Sequence, residues 1–197
     1  MGQDGFLRQL EAIGALKRGH FLLASGRHSA QYVEKFDLLR QPRATEEACR
    51  ALIERLGDLA QVDLVVGPTT GGILLAFEIG RQLGLPAAYA ERARDGSSER
   101  AFKRGTVIEP GTRVLVVDDI LTTGGSVREA IVALKACAAD VRAIALLVDR
   151  SGGSVTFDAP LVSLAELDIE TSTPGDCPLC RHGVPITTPG STSQQPG

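Results

Sequence analysis

The feature that most constrains the fold of this sequence is a pattern that occurs twice. An apolar run leads into Thr-Thr-Gly-Gly and then into a helical segment, first over residues 65–72 and again over residues 116–126. Short apolar runs bounded by turn residues are typical of strands buried on both faces of a parallel sheet. A glycine-rich turn after such a strand places backbone N–H groups at the positive end of the next helix. The Gly-Gly pairs could simply form tight turns, but two of them at one edge of a sheet favour a ligand with two phosphate groups.

The rest of the chain alternates between strand and helix patterns. The other predicted strands cover residues 86–90, 141–148 and 161–164, and the predicted helices cover residues 73–79 and 126–138. Before them we predict a helix over residues 4–18 that stops at Gly19, a hairpin or two small strands between Phe21 and Leu39, and a helix from Pro42 to near Gly57. This order predicts an α/β fold whose ligands bind at the carboxyl ends of the strands.

Length and charge argue against several classes of protein. The chain has 197 residues and a net charge of −3, from 21 Lys and Arg against 24 Asp and Glu. Binding to extended nucleic acid needs many cations, so we expect no such partner. No apolar run approaches the roughly 20 residues that span a bilayer. Residues 1–10 lack the pattern of a signal peptide. We therefore expect a cytoplasmic protein without membrane contact.

Two adjacent acids, Asp118 and Asp119, follow the second apolar run. Neighbouring carboxylates repel each other and alternate between the faces of a strand, so they fit a place where the strand ends and the chain opens toward a ligand. There they can accept hydrogen bonds from paired sugar hydroxyls or hold Mg²⁺ directly or through water. Capping of the next helix is the alternative, but that helix begins several residues later. The pair therefore indicates a ligand site.

Residues 114–126, Val-Leu-Val-Val-Asp-Asp-Ile-Leu-Thr-Thr-Gly-Gly-Ser, resemble the phosphoribosyl pyrophosphate (PRPP) signature of the type I phosphoribosyltransferases. Other segments are similar to the orotate phosphoribosyltransferases of that family, over about residues 5–190. The similar segments are 21–29 with Tyr32 (the hood over the base), 67–72 (the pyrophosphate loop), and 148–150 with Gly152-Gly153 (the strand end whose arginine pairs with orotate). The chain departs from one branch that has lysine at Ala24 and Tyr-Lys at Thr70-Gly71.

The resemblance implies the type I phosphoribosyltransferase fold, a central mostly parallel sheet flanked by helices with a small N-terminal hood. One domain would cover residues 1–186, with the hood at about 1–40, the core at about 41–170 and a C-terminal segment at 171–186. Residues 187–197 contain only Thr, Ser, Gln, Pro and Gly. This composition is too polar to pack, so we expect a disordered tail.

The resemblance also implies the site. Asp118 and Asp119 would hold the ribose hydroxyls and act in catalysis, and Arg150 would meet orotate beside Thr122. Residues 122–126 would bind the 5-phosphate. The complete set implied to bind PRPP is Arg92, Thr70, Gly71, Asp118, Asp119, Ile120, Leu121, Thr122, Thr123, Gly124, Gly125 and Ser126.

Residues 91–105 are charged and lack apolar periodicity, so we expect an exposed mobile loop. Such a segment usually forms a run of solvated charged side chains on the surface. The resemblance instead implies a catalytic flap that closes over pyrophosphate and reaches the neighbouring subunit's site in a homodimer, with Gly96 and Gly105 as hinges. Its cations are Arg92, Arg94, Arg100, Lys103 and Arg104. Among them Lys103 is our candidate for the main catalytic role.

The implied reaction transfers the phosphoribosyl group from PRPP to orotate, giving orotidine 5′-monophosphate and pyrophosphate, a step of pyrimidine synthesis. Mg²⁺ would be the cofactor, held mainly through PRPP, with Asp118 and Asp119 as candidate contacts. Two alternatives remain open. A purine phosphoribosyltransferase should lack the hood and Arg150, and a non-catalytic regulator of the same fold would bind PRPP or nucleotides without turnover.

Four cysteines, at positions 49, 137, 177 and 180, are too few for a disulfide framework in a chain of this length. Cys177-Pro-Leu-Cys180, followed by His182, has the spacing of half a zinc site or of a redox pair. A structural zinc normally needs four ligands, and the remaining candidates (Cys49, Cys137, His20 and His28) are distant in sequence. We therefore favour simple packing of the C-terminal segment.

Overall fold

The computed structural model describes residues 1–92 and 99–189. Its largest element is a sheet formed by β3 (Leu64–Pro68), β4 (Ala87–Arg92), β5 (Arg100–Ala101), β6 (Arg113–Leu121), β7 (Asp140–Asp149) and β8 (Leu161–Glu166). The strand order is β5-β4-β3-β6-β7-β8. All neighbours are parallel except β5, which runs antiparallel to β4 at the edge. The prediction of a mostly parallel α/β sheet is confirmed.

Helices cover both faces of this sheet. They are α1 (Gln3–Ala12), α2 (Lys35–Leu39), α3 (Pro42–Leu56), α4 (Gly71–Leu83), α5 (Gly125–Ala136) and α6 (Pro178–Arg181), with a 3₁₀ turn at Gly57–Ala60. One apolar core joins Leu52 and Ile79 to the sheet, and a second core on the opposite face includes Leu134. No helix in the described part of the chain is long and apolar enough to cross a membrane.

The first helix is shorter than its apolar spacing predicts. It ends at Ala12 rather than near residue 18, because Gly14 adopts a positive φ of 73° and its N–H bonds to the carbonyl of Glu11. Glycine tolerates this conformation without the steric cost that a Cβ brings. The following residues form β1 (Leu16–Leu22), so Gly19 lies inside a strand and not at a helix end.

The hood is a small sheet of its own. β1 pairs antiparallel with β2 (His28–Val33), which confirms the predicted hairpin, and β2 pairs with β9 (Thr171–Ser172) from the C-terminal segment. Helix α2, which follows directly, was not predicted.

Thr187, which we assigned to a disordered tail, exchanges backbone hydrogen bonds with β1. Its N–H donates to the His20 carbonyl, and its carbonyl accepts from the Leu22 N–H. Residues 190–197 of the predicted tail lie outside the described residues.

Candidate active site

Three neighbouring strands of the sheet, β3, β6 and β7, deliver the predicted site residues to one edge. They pair in parallel, so their carboxyl ends meet where Pro68, Leu121 and Asp149 end the strands. The β3–α4 turn, the β6–α5 turn and Arg150 follow these ends directly. Ligands of open parallel sheets bind in this position. The sheet therefore brings together segments that are about 80 residues apart in sequence.

Both acids lie within β6, which continues to Leu121, and not after its end as the sequence suggested. Asp118 is buried, and its carboxylate accepts hydrogen bonds from the Ser126 hydroxyl at 2.6 Å and from the Asp119 N–H at 2.9 Å. Burial, reinforced by the charge of Asp119, raises the pKa of Asp118 from 3.8 to about 6. Keeping this carboxylate ionised in the fold costs folding free energy. A pKa shifted in this way is typical of functional sites.

Asp119 faces a cation that sequence reasoning missed. Its side chain is buried, and the Lys35 ammonium lies 2.9 Å from Oδ2 and 3.1 Å from Oδ1. Lys35 begins α2, the helix that connects the hood to the core. The sequence separation of 84 residues and the short helix gave no pattern that links the two. The ion pair therefore joins α2, which follows the hood, to Asp119 in the candidate site.

The β3–α4 turn fits against Asp119 because residue 71 has no side chain. A Cβ at Gly71 would lie 1.8 Å from Asp119 Oδ2, and a Cβ at Gly67 would lie 2.0 Å from the Gly72 carbonyl oxygen. Neither distance is possible without a shift of the surrounding atoms. A side chain at position 71, such as the lysine of the branch with Tyr-Lys, therefore has no room beside Asp119 in this structure.

We expect Gly71→Ala to lower kcat/KM for PRPP, the substrate that the sequence resemblance implies, by about 100-fold, because the added methyl group displaces the Asp119 carboxylate from Lys35 and misplacement of about 1 Å has costs of this size. Gly175→Ala is the matched control, since a Cβ there meets nothing within 4 Å. Steady-state kinetics at varied PRPP measures both. Wild-type kinetics in Gly71→Ala would show that the close contact is unimportant.

The β6–α5 turn is open toward solvent. Thr122, Thr123 and Gly125 are exposed, while Gly124 is buried with a φ of 77° and lies against Val155. The first N–H groups of an α-helix have no intrahelical partner, and α5, which begins at Gly125, has no side-chain cap that accepts from them. Free N–H groups and threonine hydroxyls at a helix start form a suitable cradle for a phosphate.

Comparison with known proteins accounts for this edge of the sheet. Residues 37–174 match the phosphoribosyl transferase domain family. The orotate phosphoribosyltransferase of Caldicellulosiruptor bescii is 45% identical over 191 residues, which are 97% of this chain and 98% of the relative. The chain belongs to the orotate phosphoribosyltransferase family.

Solved structures agree with this membership. The crystal structure of orotate phosphoribosyltransferase from Aeropyrum pernix has a TM-score of 0.68 at 34% identity, covering 81% of this chain and 92% of that chain. Adenine phosphoribosyltransferase from Thermoanaerobacter pseudethanolicus has a TM-score of 0.59 at 18% identity, covering 70% of this chain and 88% of that chain. The second likeness is one of fold alone.

Arg150, the residue that the sequence resemblance assigned to orotate, follows β7 directly. Its N–H donates to the Leu121 carbonyl at 2.8 Å, which sets it beside Thr122. The side chain is half-buried, and Nε has no hydrogen-bond partner among the described residues. Burial lowers the pKa of Arg150, while Tyr32 of the hood raises it. A buried, unpartnered guanidinium donor is suited to a ligand that brings its own acceptor.

The predicted flap cations have different environments. Arg92 and Arg104 are exposed, Lys103 Nζ donates to the Arg92 carbonyl at 3.0 Å, and Arg104 pairs with Glu91 at 3.2 Å. Arg94 and Gly96 lie outside the described residues. Residues 91–92 and 100–101 pair as strands, so the base of this segment is less irregular than predicted.

Arg100 differs from these cations because it is buried. It pairs with Glu129 of α5 at 2.9 Å and donates to the Thr69 hydroxyl at 3.0 Å and to the Ala90 carbonyl at 2.9 Å. Its donors are thus directed at protein groups rather than at solvent. In this arrangement Arg100 joins the base of the charged segment to the β3–α4 turn.

The raised pKa of Asp118 predicts that this carboxylate lowers the stability of the folded protein at neutral pH. Because the folded pKa (about 6) lies above the unfolded value (3.8), the ionised carboxylate destabilises the fold above pH 6, and this cost disappears as the pH falls toward 4. We expect Asp118→Asn to raise the free energy of unfolding of the ligand-free protein at pH 7.5, on the order of 1 to 3 kcal/mol. Thermal unfolding at pH 7.5 and pH 4.5 measures the gain, which should shrink at the lower pH. A gain that is independent of pH would contradict this origin.

Proposed function

We propose that this chain transfers the phosphoribosyl group of PRPP to orotate, giving orotidine 5′-monophosphate and pyrophosphate in pyrimidine synthesis. The observation that carries the proposal is the Nε of Arg150, which is buried beside the β6–α5 turn and has no hydrogen-bond partner in the part of the chain that the structure describes. Orotate supplies a carboxylate and carbonyl oxygens that match the planar fork of a guanidinium. The names of the curated relatives support the same acceptor.

The two turns and the acid pair suit the other substrate. The N–H groups at the start of α5, with Thr122, Thr123 and Ser126, would receive the 5-phosphate, and the β3–α4 turn would receive the pyrophosphate. Asp118 and Asp119 lie between the two turns and would accept hydrogen bonds from the ribose hydroxyls. No side-chain nucleophile is needed. The chain positions the reacting atoms and stabilises the separating charges.

Mg²⁺ fits this donor set as a substrate-bound ion rather than as a caged one. Asp119 is paired with Lys35 and Asp118 with Ser126, so few carboxylate lone pairs are free. No third acidic, histidine or cysteine side chain joins them as a metal group within residues 1–92 and 99–189. Mg²⁺ usually keeps several waters and binds through substrate phosphates and one or two carboxylates. When bound, it would neutralise charge on the leaving pyrophosphate.

The charged segment would close the site during transfer. A cationic ribosyl centre reacts with water, so the site must exclude solvent before the bond to pyrophosphate breaks. Lys103 and Arg104 are adjacent, and Lys103 Nζ donates to the carbonyl of the exposed Arg92, so this group of cations supports a catalytic flap here. Lys103 remains our candidate for the main catalytic role.

The four cysteines are free, which suits a reducing cytoplasm.

A homodimer that shares this flap between subunits is part of the proposal. α4 starts at the β3–α4 turn and exposes Leu74 (43%) and Phe77 (66%), which are three residues apart on one helix face. Such exposed apolar side chains are suited to a protein interface. We expect the wild type to have the mass of a dimer in solution and Phe77→Asp to shift it toward monomer, measured by light scattering. An unchanged dimer in Phe77→Asp would remove α4 from the interface.

The test of function incubates the protein with orotate, PRPP and Mg²⁺ and follows the loss of orotate absorbance and the appearance of the nucleotide. Parallel reactions contain adenine, guanine or hypoxanthine in place of orotate. Turnover of orotate alone is the expected result. Turnover of a purine base would favour the purine enzyme, and tight binding without turnover of any base would favour the regulatory protein.

A further inference from the structure

Four side chains outside the proposed active site converge from three separate parts of the chain. They are His20 in β1, His28 in β2, Cys177 before α6 and Cys180 within it. One nitrogen or sulfur atom from each lies within 4.8 Å of the corresponding atoms of the other three. His20, His28 and Cys177 are buried, and Cys180 is exposed. Among the residues that the structure describes, this is the group of His, Cys, Asp and Glu side chains with the spacing of a metal site.

The distances within the cluster are those of ligands around one small ion. His20 Nε2 lies 3.5 Å from Cys177 Sγ and 3.7 Å from Cys180 Sγ, and Cys180 Sγ lies 3.3 Å from His28 Nδ1. The two ring nitrogens are 2.9 Å apart. Tetrahedral Zn²⁺ with its usual bond lengths places nitrogen and sulfur ligands about 3.6 Å apart and two nitrogens about 3.3 Å apart. The four distances lie within about 0.4 Å of these values, and the other two pairs of ligand atoms lie within 4.8 Å of each other.

The hydrogen bond on the far side of His20 favours ligation. Its Nδ1 lies 2.8 Å from the Val184 carbonyl oxygen, which only accepts, so Nδ1 carries the proton and donates. In a neutral ring Nε2 then presents its lone pair to the cluster. Ligating histidines characteristically donate their other N–H to a carbonyl or carboxylate in this way. His182 is not a member of the cluster, because it is exposed and its ring nitrogens do not lie among the four ligand atoms.

We propose that His20, His28, Cys177 and Cys180 bind one Zn²⁺ in a structural Cys₂His₂ site. Two thiolates and two imidazoles in tetrahedral reach are the donor set that selects zinc among common divalent ions. The Cys-x-x-Cys spacing and the proline after the first cysteine suit a tight knuckle, which here is closed by the N–H of Gly183 donating to the Cys180 carbonyl. The packing role that the sequence favoured for these cysteines is thereby replaced by a metal role.

The site has a clear structural task in this fold. The hood sheet has three short strands, and such a sheet has little core of its own. β9 and Thr187 already join the C-terminal segment to β2 and β1 through backbone hydrogen bonds. The ion would fix the same segment to both strands of the hairpin. It would thus hold the hood, which carries Tyr32 and leads to Lys35, over the active site.

Metal content tests the site directly, without reference to activity. Protein purified without chelator is expected to contain about one zinc per chain by plasma mass spectrometry. Cys180→Ser and His28→Asn should lose the metal, while the matched controls Cys137→Ser and His182→Asn, which change a cysteine and a histidine outside the cluster, should keep it. Equal zinc content in Cys180→Ser and wild type would overturn the proposal.

Cobalt provides a second measurement that does not depend on the variants folding. Zinc is removed from the wild-type protein with a chelator, and Co²⁺ is then titrated in. The expected spectrum has the intense visible bands of tetrahedral Co²⁺ and a thiolate charge-transfer band, both lost on adding one equivalent of Zn²⁺. Absence of these bands, or an intact mass that shows Cys177 and Cys180 joined as a disulfide in protein purified under reducing conditions, would contradict the site.

Thermal unfolding tests the structural task. Chelation should lower the Tm of the wild type by at least about 5 °C, since for a domain of this size each kcal/mol corresponds to about 2–4 °C, and added Zn²⁺ should restore it. The Tm of Cys180→Ser should not respond to either treatment. A wild-type Tm that is unaffected by chelator and zinc would show that no ion stabilises the hood.

Discussion

Replacing Asp118 and Asp119 together by asparagine is expected to lower kcat/KM for PRPP by at least about 1000-fold, which corresponds to a loss of about 4 kcal/mol of transition-state stabilisation. Both carboxylates accept hydrogen bonds, and both are buried between the two turns that we propose bind phosphate. An amide keeps the volume but loses the charge and half of the acceptor capacity. Charged hydrogen bonds in a buried site are the strong ones, so two lost together have a large effect.

The control for this double variant is Asp158→Asn. Asp158 is almost fully exposed and pairs with Lys135 on the surface, so its replacement should leave kinetics unchanged. Steady-state assays with orotate and PRPP compare the variants, and circular dichroism shows whether the fold is retained. A folded double variant with wild-type kcat/KM would refute the assignment of the acid pair. The single variant Asp119→Asn also leaves Lys35 without its partner, so we expect a rise in KM for PRPP from that change alone.

Periodicity and turn residues were sufficient to predict the core of the fold. The apolar runs of β3 and β7 are fully buried, and burial on both faces leaves a continuous run of Val, Ile and Leu that is readable in sequence. The N-terminal region was harder, because Leu16 continues the helical spacing of α1 although it lies in β1. Only the positive φ of Gly14 ends the helix, and a glycine alone does not reveal the sign of its φ.

The acid pair and its turn could be predicted as a candidate site because their residues are adjacent in sequence. Lys35 was missed for the opposite reason, since its contact with Asp119 depends on how the hood folds over the sheet. Arg100 illustrates the same limit, because composition assigned it to an exposed loop whereas Glu129, from another helix, buries it. The histidine and cysteine cluster also joins residues that are more than 150 positions apart. Contacts of this kind follow from tertiary packing and leave no local pattern.

Arg150→Gln is expected to raise KM for orotate and to lower kcat/KM for orotate by at least about 100-fold, with the KM for PRPP changed by no more than about threefold. Glutamine retains a donor and the backbone contact with Leu121 but loses the charge and the planar fork. The guanidinium is half-buried and its Nε has no protein partner within the described residues, so the ligand is the group that loses its hydrogen bond. Arg142→Gln, which changes an exposed arginine of β7, the strand that Arg150 follows, is the control.

The separation of the two Michaelis constants decides what Arg150 does. A residue that only supported β7 would alter the binding of both substrates, because the same sheet edge carries the acid pair and the two turns that we propose bind phosphate. Replacing a residue that contacts the base changes the KM for orotate alone. Arg150→Lys sharpens this distinction, since it restores the charge without the fork. If the fork matters, Arg150→Lys should remain much closer to Arg150→Gln than to wild type, and recovery of full activity in Arg150→Lys would reduce the role of Arg150 to that of a simple positive charge.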